Sequence, residues 1–446
     1  MNVTIKIGLI SLGCDKNLVD SEYMLGILKK KGYIITNDEK QADVIIINTC
    51  GFIESAKQES IDTILEMAEF KKYGNCKLLI ATGCLAQRYS NELLSEIPEL
   101  DAVLGTGDFY RIDEIIQRKE SIRVNITKNK SFLDYDYENR FTVHPYLAFV
   151  KIAEGCNNCC SYCAIPQIKG AYKSRKLNSI KKEVEILVSR GIKEINLVAQ
   201  DTSNYGEDIY GKPSLPVLLK ELEKIEGDFW IRILYAYPDN IDDELLNIIK
   251  NSSKVVKYLD IPLQHINDRI LKLMNRRMDS RLIKELIEKI RMNIPDITLR
   301  TTFIVGFPTE TDDEFEELLE FMRAYKFDRV GAFQYSMEEG TFAYTLRPQI
   351  PQQIKRERYK KLMLMQKSIS RRKNLELKGK ILHVLAESYD PARKIATGRS
   401  QKDAPFVDGT VKFKCNKCNP GQFYKVRITK ALDYDLLGEI EHMENT

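Results

Sequence analysis

Four apolar runs in this chain lead directly into cysteine. Lys6 to Leu12 leads to Cys14, Asp43 to Thr49 to Cys50, and Lys77 to Thr82 to Cys84. Leu147 to Ala153 leads to a loop carrying Cys156, Cys159, Cys160 and Cys163. Runs that are apolar at successive positions read as strands buried on both faces. The first three are followed by helical patterns, over Asn17–Lys31 (closed by Gly32), Glu54–Lys71 and Arg88–Ile97, and Ala102–Leu104 reads as a short fourth strand. This alternation predicts an α/β unit over residues 1–120, a doubly wound parallel sheet. In open α/β sheets ligands bind at the carboxyl ends of the strands. Cys14, Cys50 and Cys84 share that position, so they are expected to meet as a three-thiolate site. Buried cysteines can equally pack as small apolar residues, but equivalent placement three times over favours ligation. Cys76 precedes its strand and reads as structural.

Residues 142–373 hold six further strand-like runs, Leu147–Ala153, Glu194–Ala199, Trp230–Tyr235, Tyr258–Pro262, Leu299–Val305 and Arg329–Tyr335, separated by helical segments. Six βα units predict a partial (β/α)6 barrel with its site at the carboxyl ends of the strands. The cysteine loop follows the first strand, Gln200 and Asp201 end the second, Gln264 and His265 the fourth, and Gly306-Phe307-Pro308 the fifth. These polar ends are expected to face the pocket. Their alternative reading is turn chemistry, as in Asp201-Thr202-Ser203-Asn204, and His265 also fits a satisfied structural histidine. In the loop, Cys156, Cys160 and Cys163 read C-x3-C-x2-C with Tyr162 before the last cysteine. Three close thiolates suit a soft metal centre. A 4Fe-4S cluster on three thiolates keeps one iron open to a small molecule. Zinc would need a fourth ligand, and no histidine is near in sequence. Cys156, Cys159 and Cys163 give the other register, C-x2-C-x3-C, and spacing alone does not choose.

The 446 residues suffice for two to four domains. No apolar run reaches the length of a membrane span, and the N-terminus has no signal-peptide pattern, so a cytosolic protein without membrane contact is expected. There the ten cysteines are ligands or reduced thiols rather than disulfides. A net charge of +4, from 68 Lys and Arg against 64 Asp and Glu, argues neither for nor against nucleic acid. Residues 121–141 turn polar and read as a linker with room for a strand pair. Gln352–Arg372 reads as a basic solvated connector first and a nucleic-acid arm second. Residues 374–446 alternate as short strands at Lys380–Ala386, Ile395–Gly398, Thr410–Phe413 and Tyr424–Lys430, which predicts a small antiparallel β-barrel of the OB-like kind. Cys415-Asn416-Lys417-Cys418 offers half a zinc site with no second pair and reads as a surface turn.

Taken together these motifs resemble the radical S-adenosylmethionine (SAM) methylthiotransferase family over essentially the whole chain. Ser11-Leu12-Gly13-Cys14-Asp15-Lys16-Asn17 is similar to the family's opening motif, the barrel with its cysteine loop to its radical SAM core, and the last barrel to its TRAM domain. Gln200-Asp201-Thr202-Ser203-Asn204-Tyr205-Gly206, Asp260-Ile261-Pro262-Leu263-Gln264-His265-Ile266, Gly398-Arg399-Ser400-Gln401-Lys402-Asp403-Ala404-Pro405 and Asp433-Tyr434-Asp435-Leu436-Leu437-Gly438 resemble the ribosomal-protein branch. The tRNA-modifying branch typically reads Gly-Cys-Gln-Met-Asn in the first motif and Ser-Gly in place of His265-Ile266. Asn158-Cys159, Met337 and Phe342 depart from the family's pattern. The resemblance implies methylthiolation of the β-carbon of an aspartate in ribosomal protein S-twelve. It implies two 4Fe-4S clusters, one on Cys156, Cys160 and Cys163 that binds SAM, and one on Cys14, Cys50 and Cys84 that carries the sulfur. Two SAM molecules are then used per product. Tyr162, Gln200 and Gly306 are the implied SAM contacts, and no catalytic acid or base is assigned. A reductant such as flavodoxin or ferredoxin is the implied electron source. The alternatives are a tRNA methylthiotransferase acting on a hypermodified adenosine, an iron–sulfur carrier, and an RNA-binding module resting on the basic helix and last barrel.

Overall fold

The computed structural model describes residues 5–118, 124–127 and 137–441. The N-terminal unit is a six-stranded parallel sheet, with strands β1 (Lys6–Ser11), β2 (Ile34–Ile35), β3 (Val44–Thr49), β4 (Leu78–Gly83), β5 (Ala102–Leu104) and β6 (Val124–Asn125) in the order β2-β1-β3-β4-β5-β6. β3 is buried at every position and β4 at every position but its first, as strands covered on both faces require. The strand order reverses at β1, so the crevice between the ends of β1 and β3 is a topological switch point. Cys14 and Cys50 flank it. The two-residue strands β2 and β6 are too short to show a period in sequence. β6 pairs with β5; of the expected linker, residues 121–123 and 128–136, which include Lys128–Lys130 and Asp134–Asp136, lie outside the described residues.

The second unit is an open barrel of six parallel strands. Strands β7 (Leu147–Lys151), β10 (Glu194–Val198), β11 (Trp230–Ile233), β12 (Val255–Asp260), β13 (Thr298–Val305) and β14 (Arg329–Gln334) follow one another in chain order across the sheet. A short antiparallel pair, β8 (Ala153–Glu154) and β9 (Lys173–Ser174), closes the two ends of the cysteine loop against each other. Alternate strand residues such as Ile195, Leu197, Ile231, Ile233 and Phe303 pack outward under the helices. The opposite face carries Phe149, Val198, Trp230 and Tyr258, which share one core with Ile7 and Val19 of the first unit and Leu385 and Ala404 of the third.

The third unit is a closed barrel of β15 (Ile381–Asp390), β16 (Ile395–Ser400), β17 (Val411–Lys414), β18 (Phe423–Ala431) and β19 (Leu436–Ile440) in the order β15-β16-β17-β19-β18. It is not wholly antiparallel: β17 and β19 pair in parallel, which is how the barrel closes. It covers the amino-terminal ends of the second unit's strands. Trp230 packs on Phe423 with centroids 4.6 Å apart, Arg399 pairs with Glu194 at 2.6 Å, and Arg329 with Asp403 at 2.6 Å.

Two expectations change. The Gln352–Leu375 helix is not a free connector, because it buries Lys355, Arg358, Leu362, Gln366 and Ile369. Lys355 donates to the Tyr335 carbonyl at 2.9 Å, and Arg358 binds Asp312 at 2.7 Å and Glu310. Its charges thus fall on two faces, and spacing of basic residues alone does not tell a paired face from a solvated one. Cys415 and Cys418 are not on a surface turn: only 7% and 4% exposed, they enter the third unit's core beside Val411, Phe413 and Val426. Among the described residues no helix is long and apolar enough to cross a membrane.

Candidate active site

Each cysteine of the N-terminal trio has a glycine beside it, and each glycine makes room for another strand end. A Cβ on Gly13 would stand 2.8 Å from Cys50 Cβ, and one on Gly51 would stand 2.7 Å from the backbone of Leu85, next to Cys84. Gly83 has φ +94°, and a Cβ there would meet Asn48 Oδ1 at 2.4 Å. With only hydrogens at these positions the three strand ends close on one another. Asn17 ties them together: its Nδ2 donates to Leu12 and Thr49 carbonyls at 3.2 and 3.0 Å, and the Cys84 thiol donates to its Oδ1 at 3.7 Å. The Cys50 N–H donates to Ser60 Oγ at 3.0 Å. Burial pushes the Cys50 thiol up and the Cys84 thiol to about 12, the latter opposed by the nearby Lys169 ammonium. Cys14 is exposed, at the open side of the trio.

The barrel loop gathers its own trio. Cys156, Cys160 and Cys163 are each half-buried and lie within electrostatic range of one another; burial lifts Cys156 to about 11 and Cys163 to about 12. Cys159 is exposed, its thiol turned to the Asn157 carbonyl at 3.7 Å. Behind Cys160 stands the half-buried Arg276, Nη1 3.8 Å from its sulfur and Nη2 donating to the Pro262 carbonyl at 2.8 Å, with the guanidinium 3.9 Å from the Tyr237 ring centroid. Asn158 donates to Asp201 at 2.9 Å, which fastens the loop to the end of β10. A small cavity of about 60 Å³ opens beside Cys156, lined by Asn158, Tyr172, Asp201 and Tyr237.

The remaining expected contacts separate. Tyr162 packs against Ile270, Met274, Phe307 and Tyr335, and burial beside Cys160 raises its hydroxyl pKa well above normal. Gln200 places a buried Oε1 at the end of β10 without a partner among the described residues. Gly306 has φ +70° with Lys355 where a Cβ would go, and its N–H is already bonded to Glu310 at 2.6 Å. A ligand contact from Gly306 would therefore have to come from its carbonyl or Cα. His265 does not face the pocket. It is fully buried, with Nε2 3.0 Å from Glu310 and Nδ1 accepting the Asn267 N–H at 3.0 Å, so both nitrogens are used structurally.

The two trios adjoin. Cys84 packs against Ala164 and Ile168, and Ala164 is the residue after Cys163. The segment after Cys14 also reaches the barrel: Asp15 accepts a hydrogen bond from the Tyr235 hydroxyl at 3.0 Å, and Lys16 lies over the Tyr235 ring. Arg276, Lys169 and Tyr235 carry no signal in sequence, where they look like an ordinary loop, helix and strand-end residue.

Three family models match the chain in order: the Uncharacterized protein family UPF0004 over residues 6–105, the Radical SAM superfamily over 150–322 and the TRAM domain over 379–440. The ribosomal protein uS12 methylthiotransferase RimO of Clostridium botulinum is 54% identical over 443 residues, covering 98% of each chain. That of Thermoanaerobacter sp. is 52% identical over 443 residues, covering 97% of this chain and 99% of its own. The chain belongs to the RimO family of ribosomal protein uS12 methylthiotransferases. It is thus a radical SAM methylthiotransferase, a family that works with SAM and a 4Fe-4S cluster. Among solved structures, the radical S-adenosylmethionine methyltransferase TsrM from Kitasatospora setae matches with a TM-score of 0.55 at 13% identity, covering 74% of this chain and 75% of that one, a likeness of fold alone.

Proposed function

We propose that this enzyme, cytosolic and fed electrons by a small reductant such as flavodoxin or ferredoxin, adds a methylthio group to the β-carbon of an aspartate of ribosomal protein uS12. In this reading Cys156, Cys160 and Cys163 hold the cluster that binds SAM, Cys14, Cys50 and Cys84 hold a second cluster, and two SAM molecules are used per product. Three units share the work: 1–120 carries the sulfur site, 142–373 the radical site and 374–446 the cap, with 121–141 between the first two.

The donors fit the groups. Both sets are soft thiols in threes, the ligand type of iron–sulfur clusters. Among the described residues no three His, Cys, Asp or Glu side chains converge at the spacing of a single ion, whereas a cluster spreads its ligands over several irons. Cys160 completes the loop set in preference to Cys159 because it lies beside Arg276 and Cys159 is turned outward. The half-buried Arg276 and the buried Lys169 bring positive charge to the two trios, which offsets the negative charge that thiolate-bound clusters carry. Among the described residues, Gln200 Oε1 and both polar atoms of the Asn196 side chain are buried without hydrogen-bond partners. Orphaned polar atoms on β10 and just beyond its end call for a polar ligand.

When bound, the clusters and SAM supply a carbon-centred radical able to take hydrogen from an unactivated carbon and a sulfur to put in its place. The chain's own residues do the rest. The β8–β9 pair and the Asn158–Asp201 bond hold the cysteine loop; Asn17, Asn48 and Ser60 hold the facing strand ends. The third unit closes the far end of the barrel, which keeps water from a reactive intermediate. The observation that carries the reading is the packing of Cys84 against Ala164, which brings the two thiol trios edge to edge. The test is mass spectrometry of ribosomal protein uS12 co-expressed with the enzyme. Wild type should leave a methylthio adduct on an aspartate. Cys14→Ala should leave none while still forming 5′-deoxyadenosine from SAM. Full product from Cys14→Ala would overturn the role of the N-terminal trio, and an adduct on tRNA instead would favour the tRNA alternative.

A further inference from the structure

Lys16 is the second residue of the Asp15–Lys30 helix, two positions after Cys14. A cation there is unfavourable in itself, because the first turn of a helix presents the positive end of the dipole. Its Nζ stands 3.6 Å from the centroid of the Tyr235 ring, and among the described residues no hydrogen bond or ion pair engages it. The nearby carboxylates make their hydrogen bonds to other groups, although the Lys16 charge also acts on Asp15 through space. Asp15 accepts from the Tyr235 hydroxyl at 3.0 Å, and Asp260 accepts the Tyr235 N–H at 3.2 Å and binds Arg300 at 2.9 Å. Tyr235 itself holds φ +60°, a left-handed backbone that non-glycine residues seldom adopt. Such a conformation persists where its surroundings over-determine it, and it recurs at ligand sites. Here the Asp15 and Asp260 bonds hold the ring as a platform under Lys16, at the seam between the N-terminal trio and the end of β11.

We propose that Lys16 is a carboxylate-binding subsite, which grips the side-chain carboxylate of the target aspartate so that its β-carbon lies within reach of both cysteine trios. The inference rests on the reading that the target is an aspartate. The carboxylate is one bond from the β-carbon, so a charge on it orients the reacting atom more tightly than any remote contact. An ammonium already stacked on an aromatic face has little freedom left to lose when the anion arrives. A neutral nucleobase offers Lys16 no counter-charge, so the same contact separates an acidic residue from a modified adenosine.

A double-mutant cycle tests it. Equilibrium binding of uS12 to reconstituted enzyme is measured for wild type and Lys16→Gln, each with wild-type uS12 and with uS12 whose target aspartate is changed to asparagine. Either single change should weaken binding about tenfold or more, the loss expected of a charge-assisted hydrogen bond, and the double change should be no weaker than either single. Lys16→Arg, which keeps the charge, should recover most of the binding. Additive losses in the double, or Lys16→Gln binding like wild type, would overturn the subsite. Iron content is measured on the same samples, and loss of iron from Lys16→Gln would also overturn it by making the residue part of site assembly. A wild-type enzyme that leaves uS12 unmodified fails the proposed function before Lys16 is touched, so the two failures stay distinct.

Discussion

Cys159 and Cys160 are neighbours in the chain but face different surroundings. The first is exposed and turned to a loop carbonyl, and the second stands against the half-buried Arg276. Cys159→Ser should therefore keep the iron of the loop site and Cys160→Ser should lose it, as read by iron quantitation in a background lacking the N-terminal trio; loss of iron from Cys159→Ser would reverse the register. Arg276 carries a second expectation. A cation bonded to a ligating sulfur stabilises the more negative, reduced cluster. Arg276→Met should lower the loop cluster's midpoint potential, by about 59 mV for each tenfold change in the one-electron ratio. A potentiometric titration followed by electron paramagnetic resonance measures it, and an unchanged potential would confine Arg276 to packing. Spacing left the Cys159 and Cys160 registers open because both fit a loop. Which sulfur faces inward depends on Arg276, 116 residues away in sequence.

At the scale of elements, the strands that build the site were legible as apolar runs because both their faces are covered. Among the strands the sequence does not show, β2 and β9 have two residues each, too few for a period to accumulate, and β19 begins Leu436-Leu437-Gly438, which does not alternate. The glycines show what a pattern of apolar residues cannot: Gly13, Gly51 and Gly83 set the distance between strand ends rather than the strands themselves. Gly51→Ala would drive a Cβ into the backbone of Leu85 at 2.7 Å. The substitution should cost about 1–3 kcal/mol of stability, the usual penalty of overpacking, and should deplete iron at the N-terminal site while sparing the loop site. Denaturant midpoints and iron counts on the same protein check both halves; a variant with wild-type iron at both sites would show that the strand ends have slack.

At the scale of the molecule, a buried ionic network joins the N-terminal sheet to the barrel. Glu183 on a barrel helix accepts from Tyr23 at 2.7 Å and pairs with Arg140 and Arg175; Arg140 also pairs with Glu22. Lys151 pairs with Asp20 and Glu154, and Lys169 with Glu154 at 2.6 Å. Glu183→Gln leaves two buried guanidiniums short of charge and should cost about 3–5 kcal/mol. Thermal unfolding should then split into two transitions as the N-terminal sheet releases, and one transition at the wild-type temperature would contradict the clamp. The network also sets an acid limit. Lysines 151 and 169 hold Glu154 down at about 2, and Arg175 and Arg140 hold Glu183 below its usual 4.5. A carboxylate with a lowered folded pKa contributes stability that is complete above its unfolded value and is lost as pH falls toward the folded one. Asp20 runs the other way, its burial outweighing Lys151. The gap in melting temperature between wild type and Glu183→Gln should therefore be full above pH 4.5 and close progressively on acidification; a gap independent of pH would exclude a role for the charge.

The order of elements, the three units and the two groups of cysteines follow from the chain alone, because burial on both faces imposes apolar runs and a strand-end ligand must follow its strand directly. What only the tertiary structure decided is which groups meet. The edge-to-edge approach of Cys84 and Ala164, the Arg276 contact to Cys160 and the seating of Lys16 on Tyr235 join residues from 80 to 219 positions apart. Each follows from how the units pack, and unit packing is set by a core and an ionic network whose members look ordinary one at a time.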